Sequence, residues 1–248
     1  MADAYQASGE FIDVLSKPAW KALRGPVRAA LDGASAAHGP FVDVGAGTGL
    51  GTRELAGACP AASILAIEPS PVLRAVLLSR VAADPSLSER ATVMADDALG
   101  ADLPDQLGAV LAVNMIGHLT PEDRRSFWWR VADRLAPGAP LVVNLQPPAE
   151  SVTIPYTTFG AAKVGRYTYE GGGDAEPAGS DAVIWRMRYR VLDTDGEVVR
   201  DDTIEYLWHV LSAADLLGEL ADAGLSGRLG ALGVVRAVTA INGNDFHH

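Results

Sequence analysis

The sequence predicts an α/β fold: a mostly parallel sheet covered on both faces, joined to a separate set of antiparallel strands. Three observations lead there. Between residues 40 and 146, short apolar runs rich in β-formers alternate with helix-like segments, the grammar of βαβ units. After Gln146 that grammar gives way to long stretches of strict apolar–polar alternation. Between the first strand and its helix, "FVDVGAGTGLGTRELA" sets glycines at 45, 47, 49 and 51, a turn suited to close approach of a ligand to its backbone.

Residues 4–35 carry apolar side chains at helical spacing, among them Phe11, Leu15, Leu23 and Val27. Pro18 and Pro26 divide them, so two or three short helices are expected. "PFVDVG" is then a strand and "GTRELAGAC" opens a helix. "SILAIEP" is the second strand, and "SPVLRAVLLSRVA" a helix with Ser70 as N-cap and Pro71 at its first position. "ATVMADD", "GAVLAVN" and "PLVVNLQ" supply strands three to five. A helix between the last two begins at a Thr120 cap and stops at Pro137-Gly138. Beyond them, "AVIWRMRYRVLDTDGEVVRDDTIEYLWHVL" reads as a hairpin turning at Asp195-Gly196. The preceding "YEGGGDAEPAGSD", residues 169–181, reads as a flexible loop placed to close over a site. "SAADLLGELADAG" and "GVVRAVTAI" give a final helix and strand. The expected organisation is one domain: an N-terminal helical cap (1–38), a core (40–146), an antiparallel insertion (150–208) and the closing helix and strand (212–242).

With 48% hydrophobic and 21% charged residues, the 248-residue chain has an ordinary globular composition. Its net charge of -11, with no Lys/Arg cluster, argues against nucleic acid or an anionic membrane as partner. A single cysteine, Cys59, excludes an intramolecular disulfide and a cysteine-based zinc cluster, and no metal is expected. "MADAYQASGEFIDVL" lacks the pattern of a signal peptide, and the longest mostly apolar run, "LGAVLAVNMIGHL", is too short to span a bilayer. A cytoplasmic protein is expected. His247 and His248 are assigned no function.

A dinucleotide turn reads G-x-G-x-x-G, and its third glycine would fall where Leu50 stands. The spacing here is Gly45-Ala46-Gly47-Thr48-Gly49. With "VDVGAGTG" the chain resembles the class I S-adenosylmethionine-dependent methyltransferases of the small-molecule type, over roughly residues 40–145 and more loosely at both ends. The resemblance implies a Rossmann-like seven-stranded sheet with N-terminal helices and an antiparallel insertion capping the active site. It implies S-adenosylmethionine as cofactor, S-adenosylhomocysteine as product, and Gly45, Ala46, Gly47 and Gly49 beside the cofactor.

Glu68, ending the second strand next to Pro69, is placed to accept from both ribose hydroxyls, a device that a NAD enzyme shares. Asp97, followed by Ala98, and its neighbour Asp96 match the segment in which an acid meets the adenine amino group. Either aspartate also suits a loop cap. Asp43 reads as holding the turn amides or as orienting the cofactor's ammonium end. The resemblance sets Tyr5 near the methionine part of the cofactor and Asn114 in the segment lining the transfer site. One departure is Gly108, where the family often carries an acid.

Methyl transfer from a sulfonium is an in-line displacement governed largely by alignment, and a base is needed only if the acceptor must lose a proton. His118 in "NMIGHL" and His209 in "EYLWHVLS" are the candidate catalytic residues, with His118 nearer the methyl group. Each histidine also suits plain packing. Tyr156, Tyr167, Tyr169 and Trp185 on the insertion are candidate acceptor contacts, whereas Trp128 and Trp129 read as packing. The expected function is methyl transfer to a small molecule, by resemblance a specialised metabolite, in a chain for which a homodimer is admitted. Two alternatives stand beside it. One is a protein of this fold that binds the cofactor without methyl transfer. The other is a NAD-dependent oxidoreductase, disfavoured by Leu50 and by the lack of a Tyr-x-x-x-Lys pair.

Overall fold

The computed structural model describes residues 5–240. His247, His248 and the last residues of the closing segment lie outside them. In chain order the elements are α1 (Gly9–Ala30), β1 (Phe41–Val44), α2 (Leu50–Ala58), β2 (Ile64–Ile67), α3 (Pro71–Ala83), α4 (Pro85–Ser88) and β3 (Ala91–Met94). There follow β4 (Ala109–Ala112), α5 (Pro121–Ala132), β5 (Leu141–Asn144), β6 (Ile154–Val164), β7 (Tyr167–Pro177), β8 (Ala182–Leu192) and β9 (Val198–His209). The chain closes with α6 (Ala213–Asp222), β10 (Leu225–Leu229) and β11 (Val234–Thr239).

Seven strands form one sheet in the order β10-β11-β5-β4-β1-β2-β3. The five from β5 to β3 are parallel, and β11 runs antiparallel to both its neighbours. Strands β1, β4 and β5 are buried along their whole length, as strands covered on both faces must be. Phe41, Ile64 and Leu111 pack with Leu23 and Val27 of α1 on one side. Val42, Val110 and Val143 pack with Phe127 and Trp128 of α5 and Leu216 of α6 on the other. Winding reverses between β1 and β4, the switch point outside whose carboxyl ends such sheets bind ligands. The helix caps at Ser70 and Thr120 form as read, and Ser212 also caps α6, each accepting from an amide three residues on.

Helix α1 is one 22-residue helix with Pro18 and Pro26 inside it, not two or three. Each proline removes a ladder bond, at about 3 kcal/mol. The helix persists because its buried stripe, Phe11, Leu15, Leu23 and Val27, packs against both sheets.

The second sheet, in the order β6-β7-β8-β9, is antiparallel throughout. The β8/β9 hairpin sets Trp185 opposite Tyr206 and Met187 opposite Ile204. Residues 169–177, expected in a loop, instead belong to β7, which is paired on both sides. The reason is what crosses the glycines. A Cβ at Gly171 would lie 2.5 Å from Phe159 Cζ, one at Gly172 2.4 Å from Tyr156 Oη, and one at Gly173 2.7 Å from Met187 Sδ. These glycines make room for neighbouring side chains and do not loosen the backbone.

Asp43, 2% exposed under the β1–α2 turn, accepts from the Thr52 hydroxyl at 2.6 Å. It thereby holds the first turn of α2 through Thr52 rather than through the amides of the glycine turn. Burial pushes its pKa up to about 7, against the hydrogen bonds from Thr52 and with help from the Glu68 carboxylate.

Two measurements follow from these arrangements. Between its ordinary 3.8 and about 7, Asp43 keeps a proton in the folded chain that the unfolded chain has released. Stability therefore falls as pH rises through that window. Asp43→Asn should flatten that part of the profile in urea titrations, and parallel profiles for the two proteins would remove Asp43 as its source. Amides 171–175 should exchange as slowly as those of β8 with or without ligand. Loop-like exchange there would restore the flexible reading.

Candidate active site

The turn 45–49 rises from the carboxyl end of β1. Gly45, Gly47 and Gly49 have φ of +66°, +56° and +86°, a left-handed backbone that side chains rarely adopt. Two of them are also packed: a Cβ on Gly45 would lie 2.8 Å from Met115 Cβ, and one on Gly49 2.6 Å from Leu77 Cδ1. Gly51 is a packing glycine, 3.1 Å from the Asp43 oxygens by the same measure. Gly47 differs. The nearest atom to its Cβ position is the Gly45 carbonyl oxygen at 4.0 Å, so its outer face is open to a ligand.

Glu68, 4% exposed, follows β2 directly. Its Oε2 accepts from Gly47 N at 2.7 Å and its Oε1 from Ser70 N at 2.8 Å. Ala46 is anchored by its amide to the Ile67 carbonyl at 2.9 Å, and exposed Pro69 receives Arg74 on its carbonyl. Asp97 Oδ1 accepts from the amides of Leu99 and Gly100, and Asp96 Oδ1 from the amide of Asp97. Both aspartates therefore cap the turn over buried Ala98, one or two residues beyond the level of Glu68 on the same sheet edge. At Gly108, a Cβ would lie 2.5 Å from the Gly39 carbonyl oxygen, which explains why no acid stands there.

Asn114 follows β4 with φ of +61°. Asn144, at the end of β5, holds it in that conformation. The Asn114 amide donates to Asn144 Oδ1 and Asn144 Nδ2 donates to Asn114 Oδ1, both at 2.7 Å. Sequence reading missed Asn144, whose only signal is a polar residue closing the apolar run "LVVN".

His118 lies in the short turn Ile116–His118 beyond β4. Its Nε2 is 2.9 Å from the Tyr5 hydroxyl. The rings of Trp208, Tyr206 and Tyr5 stand 4.9, 5.6 and 6.1 Å away, centroid to centroid. Gly117 makes this possible, since a Cβ there would lie 2.0 Å from the Trp208 ring. One edge of the imidazole stays open to solvent, but desolvation by its surroundings pushes its pKa down to about 4. The imidazole is neutral at pH 7, and its Nε2 shares a hydrogen bond with the tyrosine hydroxyl. Tyr206 and Trp208 also line a cavity of about 310 Å³ together with Gln146, Phe159, Trp185 and Met187.

The structure thus brings Tyr5 and His118 into contact and puts Trp185 in the cavity bordering them. Other expected residues lie elsewhere. Tyr206 and Trp208 face His118 from β9, so alternation turns His209 to the opposite face, where its side chain is 13% exposed and its Nδ1 lies 3.8 Å from Asp181. Tyr156 lies on the outer face beside Arg188 and Asp201. Tyr167 and Tyr169 pack under α1, Tyr169 against Phe11 with ring centroids 5.7 Å apart. Tyr206, Trp208 and Met187 take the places expected of them. Among the described residues, no group of three His, Cys, Asp or Glu side chains could hold a metal ion, and no helix is long and apolar enough to cross a membrane.

A family profile described as a methyltransferase domain matches residues 41–138. No curated protein matches the chain by sequence. Among solved structures, S-adenosylmethionine-bound CalS10, an amino pentose methyltransferase from Micromonospora echinaspora, is 21% identical, with 90% of this chain and 91% of that chain covered at a TM-score of 0.70. The sugar N-methyltransferase KedS8 from Streptoalloteichus is also 21% identical, with 89% and 86% covered at a TM-score of 0.66. An S-adenosylmethionine-dependent methyltransferase from Clostridium acetobutylicum is 11% identical, with 95% and 99% covered at a TM-score of 0.72. These likenesses establish the fold, and the profile identifies the domain within it. The chain thus has the class I methyltransferase fold and carries at residues 41–138 a segment that matches a methyltransferase domain.

Proposed function

We propose that the protein methylates a nitrogen of a small, ring-shaped acceptor, of the amino-sugar kind named for CalS10 and KedS8, in specialised metabolism. The observation that carries this reading is the aromatic recess around neutral His118. It opens on the same sheet edge as the free face of Gly47, because β1 and β4 are adjacent parallel strands and Met115 abuts Gly45.

The residues present fit the cofactor. Gly47 leaves space against the backbone, Glu68 stands beside it as the carboxylate suited to ribose hydroxyls, and Asn114 and Tyr5 border the transfer region. S-adenosylmethionine, when bound, supplies a methyl group already activated on a sulfonium. The chain's own contribution is alignment and exclusion of water. Trp185, Tyr206, Trp208 and Phe159 offer apolar walls to a ring and π faces to a positive charge. His118 is too weak a base to deprotonate a hydroxyl readily, and it stands in the recess as a neutral ring held by Tyr5. No charged side chain lines the cavity among the described residues. That composition suits a neutral amine, and the net charge of -11 suits a small molecule better than a nucleic acid.

S-adenosylhomocysteine should raise the melting temperature and NAD should not, because only a ligand of the folded state stabilises it. Gly47→Val should abolish the shift, and Glu68→Ala should weaken binding by roughly 1.5–3 kcal/mol. Equal stabilisation by NAD would sink the cofactor assignment. With a free-amine amino sugar as acceptor, mass spectrometry should find a product heavier by one methylene. His118→Ala should then lower turnover by less than about 10-fold at every pH, whereas a loss of about 10²–10⁴-fold would make it the general base of an oxygen methylation.

A further inference from the structure

Helix α1 touches both halves of the site, and one carboxylate on it joins them. Asp13 Oδ1 accepts from the Thr48 hydroxyl at 2.8 Å and from Arg80 Nη2 at 2.6 Å, while Lys17 Nζ lies 3.1 Å from Oδ2. Arg80 also donates to the Thr48 carbonyl. Thr48 is the residue between left-handed Gly47 and Gly49, and it is 4% exposed. It is therefore gripped from outside the turn at both its side chain and its backbone. Burial alone would raise the Asp13 pKa, but the bonds from Arg80, Thr48 and Lys17 hold it below the ordinary value, so the grip is ionic at neutral pH.

The other contacts of α1 are with the cap. Phe11 and Leu15 cluster with Tyr189 and Val191, and Glu10 pairs with Arg200 of β9, which lies over the Phe11 ring at 5.5 Å. At its start, the amides of Ser8 and Gly9 donate to the Tyr5 carbonyl at 3.2 and 2.7 Å, and the Tyr5 hydroxyl meets His118. The helix is thus tied to the glycine turn by Asp13, to the cap by Phe11, and to His118 by Tyr5.

We infer that Asp13 is a positioning residue that couples occupancy of the glycine turn to the cap and the His118 recess through α1. The inference rests on the glycine turn being the cofactor site. A turn with three left-handed glycines has few side chains of its own to fix it, so its placement depends on anchors from other elements. Asp13 with Arg80 supplies the anchor that lies on a helix shared with the acceptor side. A ligand that shifts or stiffens residue 48 therefore acts on α1, and α1 cannot move without disturbing the Phe11 cluster and Tyr5.

The test is hydrogen exchange with S-adenosylhomocysteine as probe. In the wild type it should slow exchange in the turn, in the first half of α1 and in β8 and β9. In Asp13→Asn, affinity should fall about 10-fold, as for loss of one charge-assisted contact. The turn should still be protected at saturation while protection of β8 and β9 is lost. Thr48→Val should behave the same way, probing the link from the other side should Asp13→Asn not fold, and Thr48→Ser should restore wild-type behaviour. Equal protection of β8 and β9 in the wild type and in either disrupting variant overturns the coupling. Failure of the probe to protect even the wild-type turn overturns the cofactor reading, and the inference with it.

Discussion

The left-handed backbone of residues 45–49 is the constraint on which the rest of the site depends. It lets α2 start immediately beyond β1, and it leaves the Gly47 face clear. Within the turn the Gly49 amide donates to the Ala46 carbonyl at 2.8 Å, and the Ala46 amide ties it to Ile67. Two carboxylates from other elements add to this, Glu68 after β2 through the Gly47 amide and Asp13 of α1 through Thr48, while Asp43 of β1 holds the first turn of α2 through Thr52. Burying carboxylates here has a cost, visible in the pKa of Asp43, which is raised chiefly by desolvation and further by the Glu68 carboxylate. A ligand with positive charge and hydroxyl donors relieves that cost, which fits an aminoacyl sulfonium nucleoside better than a dinucleotide diphosphate.

The four-stranded sheet shows how one alternation serves two ends. Its inner face presents Trp185, Met187, Tyr206 and Trp208 to the core, while its outer face carries Arg186 with Asp174, Arg188 with Asp201 and Arg190 with Glu170. Pairs near the surface are screened by solvent and add little stability. Their arrangement does more for register than for stability, since a slip by one residue would turn the aromatic rings out and bring the arginines in. The glycines of β7 belong to the same design. They let Phe159 and Met187 lie across the strand on the inner side and Tyr156 on the outer.

What was legible in the sequence was local. The parallel core, the caps at Ser70 and Thr120, the glycine turn and Glu68 are each written within a few consecutive residues, and all appear where expected. Misreadings arose where a distant partner decides. Three glycines in a row look like a loop until Phe159, Tyr156 and Met187 are laid over them. Two prolines look like breaks until α1 is packed against two sheets. His209 and Trp208 are adjacent in sequence, and only the pairing of β9 with β8 decides which of them faces His118. Asn144 and Asp13 could not be found by spacing at all, because their partners Asn114 and Thr48 are 30 and 35 residues away.

The depressed pKa of His118 bears on the acceptor as well as on the histidine. Desolvation disfavours any cation that cannot reach water or a counter-charge. The cavity beside His118 is walled largely by aromatic and aliphatic groups, with no charged side chain lining it among the described residues. A protonated amine entering it meets the same penalty that holds the imidazole neutral, and so sheds its proton more readily than in water. The recess can therefore deliver a free lone pair without a strong base of its own. Through this effect an aromatic enclosure favours nitrogen over oxygen, because burial lowers an amine's pKa toward neutrality and pushes a hydroxyl's further up, as it does for Tyr206, to about 12.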